Sequence, residues 1–444
     1  MSLLDDSEPA NYDAARAAEA GWILHRFPVL DGGSPSVEQM DDFVQITRML
    51  PPDAKAIVHC QTGGSRSGVM AAAYWIDRGL SVREAIARLC ASNPDITITP
   101  ERQEALERFA AARGQVEPIE RLVFDADRLL ATHPPVWRNA NKRVVYGIAC
   151  PPGTIHRGRL LYTRWDSMAL PRHVDLAAAA ERLETRADIY DYAPTSADAV
   201  EWHVNFADPD LFGFYGSDLF AQDEMQVAEH PALGALREAL AARGNVARTE
   251  DNGRPTPVLV MGAERRCRIA TDPSPENGPP NGLYGNAFAR ATPDAVQRAT
   301  TPIDPPTITN IIAMAAPRGG PGRYDEGTIS EILTTAYTGF RAAVLESARH
   351  HGDGRPVVVH TGFWGCGAFG GNRVLMSLLQ AIAAEMAEVE RLVFHAVNRG
   401  GEEHVNAARA FISDELADER AAETRVVIAR IVARGFEWGI SDGN

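Results

Sequence analysis

Ten residues, His59-Cys60-Gln61-Thr62-Gly63-Gly64-Ser65-Arg66-Ser67-Gly68, gather a nucleophile, a cation and two glycines into one stretch. The run Ala56-Ile57-Val58 precedes them and a helical-looking run, Val69 to Arg78, follows. A strand, a glycine-bearing loop and a helix start in that order form a cradle for an anion. Gly63 and Gly64 can take backbone angles closed to other residues, so successive N–H groups can point inward at a tetrahedral anion. The helix start adds partial positive charge, and Arg66 would bring a bidentate fork to two phosphate oxygens. The same field favours a thiolate at Cys60. Ser67 is placed to donate to that sulfur when it leaves. The chemistry implied is nucleophilic attack on phosphorus.

The chain around this stretch has 444 residues, enough for two or three domains. It carries 44 Lys plus Arg against 59 Asp plus Glu, a formal net charge of -15. That balance repels nucleic acid and anionic membranes, so a phosphate site must be a local positive pocket. Met1 to Asp13 is acidic and lacks the apolar core of a signal peptide. No apolar run reaches the length of a membrane span. The five cysteines (60, 90, 150, 267 and 366) are scattered without zinc-type spacing and read as reduced thiols in a cytoplasm. Neither a metal nor a cofactor is called for.

Positioning the nucleophile falls to the first 115 residues. Gly21 to Leu30 reads as a strand leading into the turn-rich Asp31-Gly32-Gly33-Ser34-Pro35. Ser36 to Gln39 is a capping box opening a helix whose apolar face is Val37, Met40, Phe43, Val44, Thr47 and Leu50. Pro51-Pro52 stops it. Gly79 is a C-cap candidate, Ser81 opens the next helix, and Thr99-Pro100 starts a third that ends near Arg113-Gly114. Alternation at this spacing argues a small α/β domain with helices over a mainly parallel sheet.

From Trp22 to Phe109 the chain resembles the cysteine-dependent tyrosine and dual-specificity phosphatases, the signature being the His59–Gly68 stretch. The resemblance implies a phosphocysteine intermediate on Cys60 and transition-state binding by Arg66. Ser67 would assist the leaving sulfur, and His59, Gln61, Thr62, Gly63, Gly64 and Ser65 would line the substrate loop. His59 is expected to shape that loop rather than transfer a proton. A general acid is needed for the departing oxygen. Asp31 sits where the smaller members keep theirs, although Asp31-Gly32 also has the composition of a plain turn. Asp95 is the fallback, while Asp41 and Asp42 read as a solvated helix face.

Beyond a linker near Gln115–Pro118, residues 116–199 read as linker and accessory segment of a second domain. Arg143 to Ala149 and Leu160 to Trp165 suggest strands there, and Leu176 to Arg186 a helix. From residue 200 to 444 the pattern sharpens. Trp202 to Asp208 reads as a buried strand, and Gln222-Asp223-Glu224 opens a helical run. Val258 to Met261 and Ile308 to Ala315 read as strands, and Thr328-Ile329-Ser330-Glu331 as the capping box of a long helix. Val357-Val358-Val359 then feeds the glycine loop His360 to Asn372, before a helix from Arg373 to Met386. A loop so rich in glycine lets backbone N–H groups approach a diphosphate.

Phe206-Ala207-Asp208, Gln222-Asp223-Glu224, Gly262-Ala263-Glu264, Ala336 to Phe340 and Gly365 to Gly371 together resemble the poly(ADP-ribose) glycohydrolases. The resemblance implies a macrodomain-like α/β/α domain after the small phosphatase-type α/β domain. Gly365, Cys366, Gly367, Ala368, Phe369 and Gly370 would wrap the diphosphate of ADP-ribose, with Asp208 and Gln222 nearby. Glu224 would be the acid that protonates the departing oxygen, and Asp223 would hold ribose hydroxyls. Three departures stand out. Phe212-Gly213-Phe214 replaces three glycines, Asp223 replaces a glutamate, and Ile269 aligns with an adenine-stacking tyrosine. The implied partners are a phosphomonoester, protein or small molecule, and ADP-ribose or an ADP-ribosylated protein. The chain then reads as a two-headed hydrolase, or as a phosphatase carried to its targets by a non-catalytic ADP-ribose reader.

Overall fold

The computed structural model describes residues 1–5, 7–10, 12–51, 54–78, 80, 82–94, 96–112, 117–244, 247–271, 282–352, 354–416 and 422–441. Pro52, Gly79, Ser81, Asp95 and Arg113-Gly114-Gln115 lie outside them. The chain divides into two units, Met1–Glu117 and Pro118–Asn444.

In the first unit, four helices, Val37–Arg48, Arg66–Asp77, Val82–Ser92 and Pro100–Ala112, surround one apolar core among the described residues. The first is opened by a complete Ser36–Gln39 capping box and buries Met40, Phe43 and Val44. Residues 21–30 and 56–58 are extended segments rather than strands. Both lie against the N-terminal segment, which neither's pattern announced. Ser2 N–H donates to His25 O and Phe27 N–H to Ser2 O, while Leu3 N–H donates to His59 O and His59 N–H to Met1 O. Ser2 bridges Arg26 and His59 in parallel. The segment that reads as a merely acidic tail therefore supplies the middle of this pairing.

The second unit is built on strands β1 (Glu120–Asp125), β2 (Arg159–Arg164), β3 (His173–Val174), β4 (Leu183–Arg186), β5 (Val200–Ala207) and β6 (Glu250–Asp251). The series continues with β7 (Arg254–Pro255), β8 (Val258–Ile269), β9 (Thr300–Ala315), β10 (Val357–Thr361), β11 (Arg391–His395) and β12 (Ala422–Glu423). Eight of them, in the order β1-β2-β8-β9-β5-β10-β11-β4, form one sheet. From β9 to β4 the neighbours run parallel, whereas β1, β2, β8 and β9 alternate. Alternate residues of β5 serve opposite faces. Trp202 donates to Ser347 on the helix Glu326–His351, while Asn205 bonds Asp223 on the helix Gln222–Glu229. Helices thus cover both faces, and the fold is α/β/α. The carboxyl ends of β5, β9, β10 and β11 open together, the usual place for a ligand in such sheets.

Three local expectations give way. Residues 143–149 are helical, within Ala140–Ala149, because Asn139 caps the first turn and Asn141, Val145 and Ala149 bury one face. Leu176–Arg186 splits into a helix to Arg182 and strand β4, which pairs parallel with Leu392–His395. The long helix begins at Glu326, where Asp325 accepts from Thr328 N–H, so Thr328 is inside the first turn. Among the described residues no helix is long and apolar enough to cross a membrane.

Asn139 both caps its helix and donates to Asp218 at 2.7 Å. Asn139→Ala should cost about 1–2 kcal/mol, read as a lower urea midpoint for the second unit.

Candidate functional site

Cys60 ends the extended segment before the loop and is 6% exposed. Gly63 turns the chain at φ +79°, a conformation that a side chain would strain. The amides of Gly63, Ser65 and Ser67 then face the sulfur. The Ser67 hydroxyl lies 3.5 Å from Sγ and 2.7 Å from Gly63 O, so its one hydrogen can serve either acceptor. Burial resists ionisation of this thiol. Hydrogen bonds from the Ser67 hydroxyl and from the amides of Ser67, Gly63 and Ser65 outweigh it and bring the pKa down to about 6. The helix Arg66–Asp77 starts directly behind, with its N-terminal charge on the same side of the balance.

Arg66 is 1% exposed, and here the structure departs from expectation. Its fork closes on a protein carboxylate: Nη1 and Nη2 each lie 2.6 Å from an oxygen of Glu8. Nη1 also donates to Val29 O at 2.7 Å and Leu3 O at 3.4 Å. A guanidinium so deeply buried needs a counter-charge. Glu8 supplies it, and its carboxyl is held below the usual range by Arg66. The Nε–H is buried without an acceptor among the described residues. Asp31 lies 3.3 Å from Nη2 with its side chain 82% exposed, and its N–H donates to Asp5 at 3.3 Å. His59 pairs through its backbone and meets Tyr12 edge-on, with ring centroids 5.3 Å apart. The N–H groups of Gln61, Thr62 and Gly64 donate to no protein acceptor among the described residues. Glu8 and Asp5 escaped sequence reasoning because nothing in their spacing ties them to residue 66.

In the second unit a cavity of about 950 Å³ opens at the carboxyl ends of the parallel strands. Asp208, Gln222, Asp223, Glu224 and all of Gly365 to Gly370 line it. Gly365, at φ +73°, runs so close to β9's end that a Cβ would fall 2.5 Å from Ala316 Cβ. The N–H groups of Gly367, Ala368 and Phe369 have no protein acceptor among the described residues, while Gly371 N–H closes the loop on Gly365 O. Asn372 caps the following helix. Cys366 is a buried thiol pushed up to about 12 by desolvation, and so a wall rather than a nucleophile.

The acidic pair is buried rather than on an exposed face. Asp223 is 6% and Glu224 2% exposed. Burial pushes Asp223 well above the usual carboxylate range, and the neighbouring Glu224 adds to it. Burial likewise raises Glu224, against the opposing charge of Lys142. Glu224 accepts from Ala221 N–H at 2.9 Å, and Asp223 from Asn205 Nδ2 at 3.0 Å. Gln222 lines the cavity, but its amide is engaged by β5, accepting from Phe206 N–H and donating to Val204 O. Asp208 meets Arg318 at 3.4 Å. Phe212 turns into the core at φ 54°, whereas Phe214 lines the cavity. Ile269 is a core residue that does not reach the cavity, while Tyr284 does. Lys142, Arg318, Arg373 and His395 were not foreseen. Lys142, Arg318 and His395 stand in neighbourhoods without a motif and only the tertiary fold assembles them, whereas Arg373 opens the helix after the glycine loop and its side chain was not singled out.

Residues 3–80 match the family model of the polymorphic toxin system DSP-PTPase phosphatase, and 283–403 that of poly(ADP-ribose) glycohydrolase, macro domain fold. Among solved structures the chain is similar to Tk-PTP in its active form, at 29% identity over 25% of this chain and 76% of that one, TM-score 0.24. It is also similar to the poly(ADP-ribose) glycohydrolase of Thermomonospora curvata bound to the inhibitor ADP-HPD, at 18% identity over 61% and 99%, TM-score 0.37. The Deinococcus radiodurans glycohydrolase in complex with ADP-ribose shares 14% over 55% and 91%, TM-score 0.30. The chain therefore joins a domain resembling the cysteine-dependent dual-specificity and tyrosine phosphatases to one resembling the macrodomain-like catalytic domain of the poly(ADP-ribose) glycohydrolases.

Proposed function

We propose that the first unit hydrolyses phosphomonoesters through a phosphocysteine. The observation that carries this is a thiol brought down to about 6 inside a ring of inward amides. The Cys60 sulfur attacks phosphorus, forming the S–P bond as the ester P–O bond breaks. Asp31, at the loop mouth beside Arg66, gives its proton to the departing oxygen. Water then attacks phosphorus and the thiolate leaves, assisted by Ser67. The free amides of the loop and the Arg66 Nε–H hold the phosphoryl oxygens.

For the second unit we propose an ADP-ribose-type ligand, its diphosphate against the N–H groups of Gly367 to Phe369. Glu224, whose carboxyl burial raises above its ordinary range, is suited to protonate a departing ribosyl oxygen. A second reading, a non-catalytic reader, draws support from Phe214 in the cavity wall and from the short reach of Asp223.

A thiol at about 6 is thiolate above that pH and thiol below it. Alkylation of Cys60 by iodoacetamide should therefore rise through about pH 6, well below the ordinary thiol range. Reactivity rising only near pH 9 would remove the nucleophile assignment. Metal-free hydrolysis of an aryl phosphate should fall on the order of a thousandfold or more in Cys60→Ser. Glu8→Gln leaves Cys60 in place but frees the guanidinium, and kcat/KM should drop roughly ten- to a hundredfold. Millimolar ADP-ribose should raise the melting temperature by roughly a few degrees. Release of ADP-ribose from a modified protein by wild type but not by Glu224→Gln selects enzyme over reader. Retention of the thermal shift without any release selects the reader.

A further inference from the structure

Behind the cavity of the second unit lies a line of four titratable side chains that the proposed chemistry does not use. Glu201 Oε2 is 2.6 Å from His360 Nε2, and His360 Nδ1 is 3.0 Å from His395 Nε2. His395 Nδ1 is in turn 2.6 Å from Asp188 Oδ1. His360 and His395 are 1% and 3% exposed, and His395 forms part of the cavity wall. Among the described residues no three donors converge as metal ligands would. Each ring nitrogen instead faces another group in the line.

Three contacts at hydrogen-bond distance each need one hydrogen between their heavy atoms. Two neutral imidazoles bring only two. With two, one contact would set a lone pair against a carboxylate or another lone pair inside the protein, a costly arrangement. With four, two N–H groups would meet head-on between His360 and His395. Three is the number that fits. The resistance to a fourth is visible in His395, which burial and then the charge of His360 bring down to about 4.

We propose that Glu201, His360, His395 and Asp188 share one extra proton at neutral pH, and that this proton favours an anionic ligand in the cavity. Losing it would add a negative charge to the wall and break one contact that fixes the His395 ring. The surroundings are consistent. On β5, His203 stacks on His360 at 4.4 Å and is kept neutral by burial and by the neighbouring His360, His395 and His230. Tyr190 meets His203 and His395 edge-on and donates to His360 O, and Tyr192 covers His203. Arg186 on β4 and Arg265 on β8 are the nearby cations, acting on His395 and His203 respectively. Glu201 is held as an acceptor by Thr195, whose N–H and hydroxyl donate at 2.7 and 2.6 Å.

The proposal rests on the ADP-ribose reading for its ligand, but not for its charge. Two measurements on the full-length protein keep these apart. Histidine 15N NMR of wild type should show His360 and His395 carrying three ring protons between them at neutral pH. Two neutral rings would overturn the proposal, whatever binds. Calorimetric titration with ADP-ribose, whose diphosphate stays ionised throughout, should show Kd rising on the order of tenfold between about pH 6 and about pH 9. That slope should flatten in His360→Asn. Equal slopes in the two proteins would overturn the role in binding. Absence of binding at every pH would sink the ADP-ribose reading and with it that role, while the NMR result would still decide the shared proton.

Discussion

A single ion pair, Arg66 with Glu8, holds the first unit's site together. The guanidinium is buried, and its four hydrogen bonds reach three groups on two other pieces of chain: Glu8 and Leu3 O, and Val29 O. The N-terminal segment, the stretch leading to Asp31 and the start of the Arg66–Asp77 helix are therefore fixed by one side chain. Removing either partner would leave a buried charge unanswered, which costs more than the pair gains. Because the fork is closed on Glu8, the guanidinium is pre-positioned, and little rotamer entropy remains to be lost when an anion arrives. The loop keeps a fixed field of amides, and the guanidinium keeps one buried Nε–H without an acceptor among the described residues.

The second unit handles buried charge differently. Asp223 and Glu224 sit deep in the wall with no ion-pair partner within reach among the described residues, and burial raises both. Lys142, fully buried, donates to Tyr215 O and Leu219 O, and burial brings it down to about 8. Its charge is felt by Glu224 and Asp223 without direct contact. One unit thus favours an anion, the thiolate, while the other pushes carboxyls toward the protonated form. Those are the opposite needs of the nucleophile and the general acid proposed above, met by amides facing inward in one place and by burial in the other.

Much of this was legible because strand, glycine loop and helix start are local in sequence. Cys60 to Gly68 and Gly365 to Arg373 announce themselves by glycine and capping chemistry, and the helix Arg373–Met386 falls where the pattern puts it. Residues 143–149 misled because Val144, Val145 and Tyr146 favour strands locally, whereas the Asn139 cap and burial at a spacing of four decide for helix. Glu8, Lys142 and the His360–His395 line were illegible for another reason. Each acts across dozens of residues, and a lone acid, lysine or histidine in an ordinary stretch carries no period. The extended segments 21–30 and 56–58 were misread as strands because the hydrogen-bond ladder they join is too short to register as one.

The two phenylalanines that replace glycines bear on what the cavity can hold. Had both projected into it, the space would have closed. Phe212 instead takes a left-handed backbone and joins the core, so only Phe214 remains in the wall. A volume of about 950 Å³ survives, at the upper end of the range for small-ligand sites. Cavity volume is therefore not what the substitutions threaten. Asp223 is the sharper constraint, because Asn205 holds its carboxyl from the strand side at 3.0 Å and its side chain is a methylene short. A group tethered at both ends does not lengthen its reach by rotating. Under the proposed ADP-ribose reading, ribose hydroxyls held there would require the ligand to sit deeper than a glutamate would, in a cavity whose wall includes Phe214.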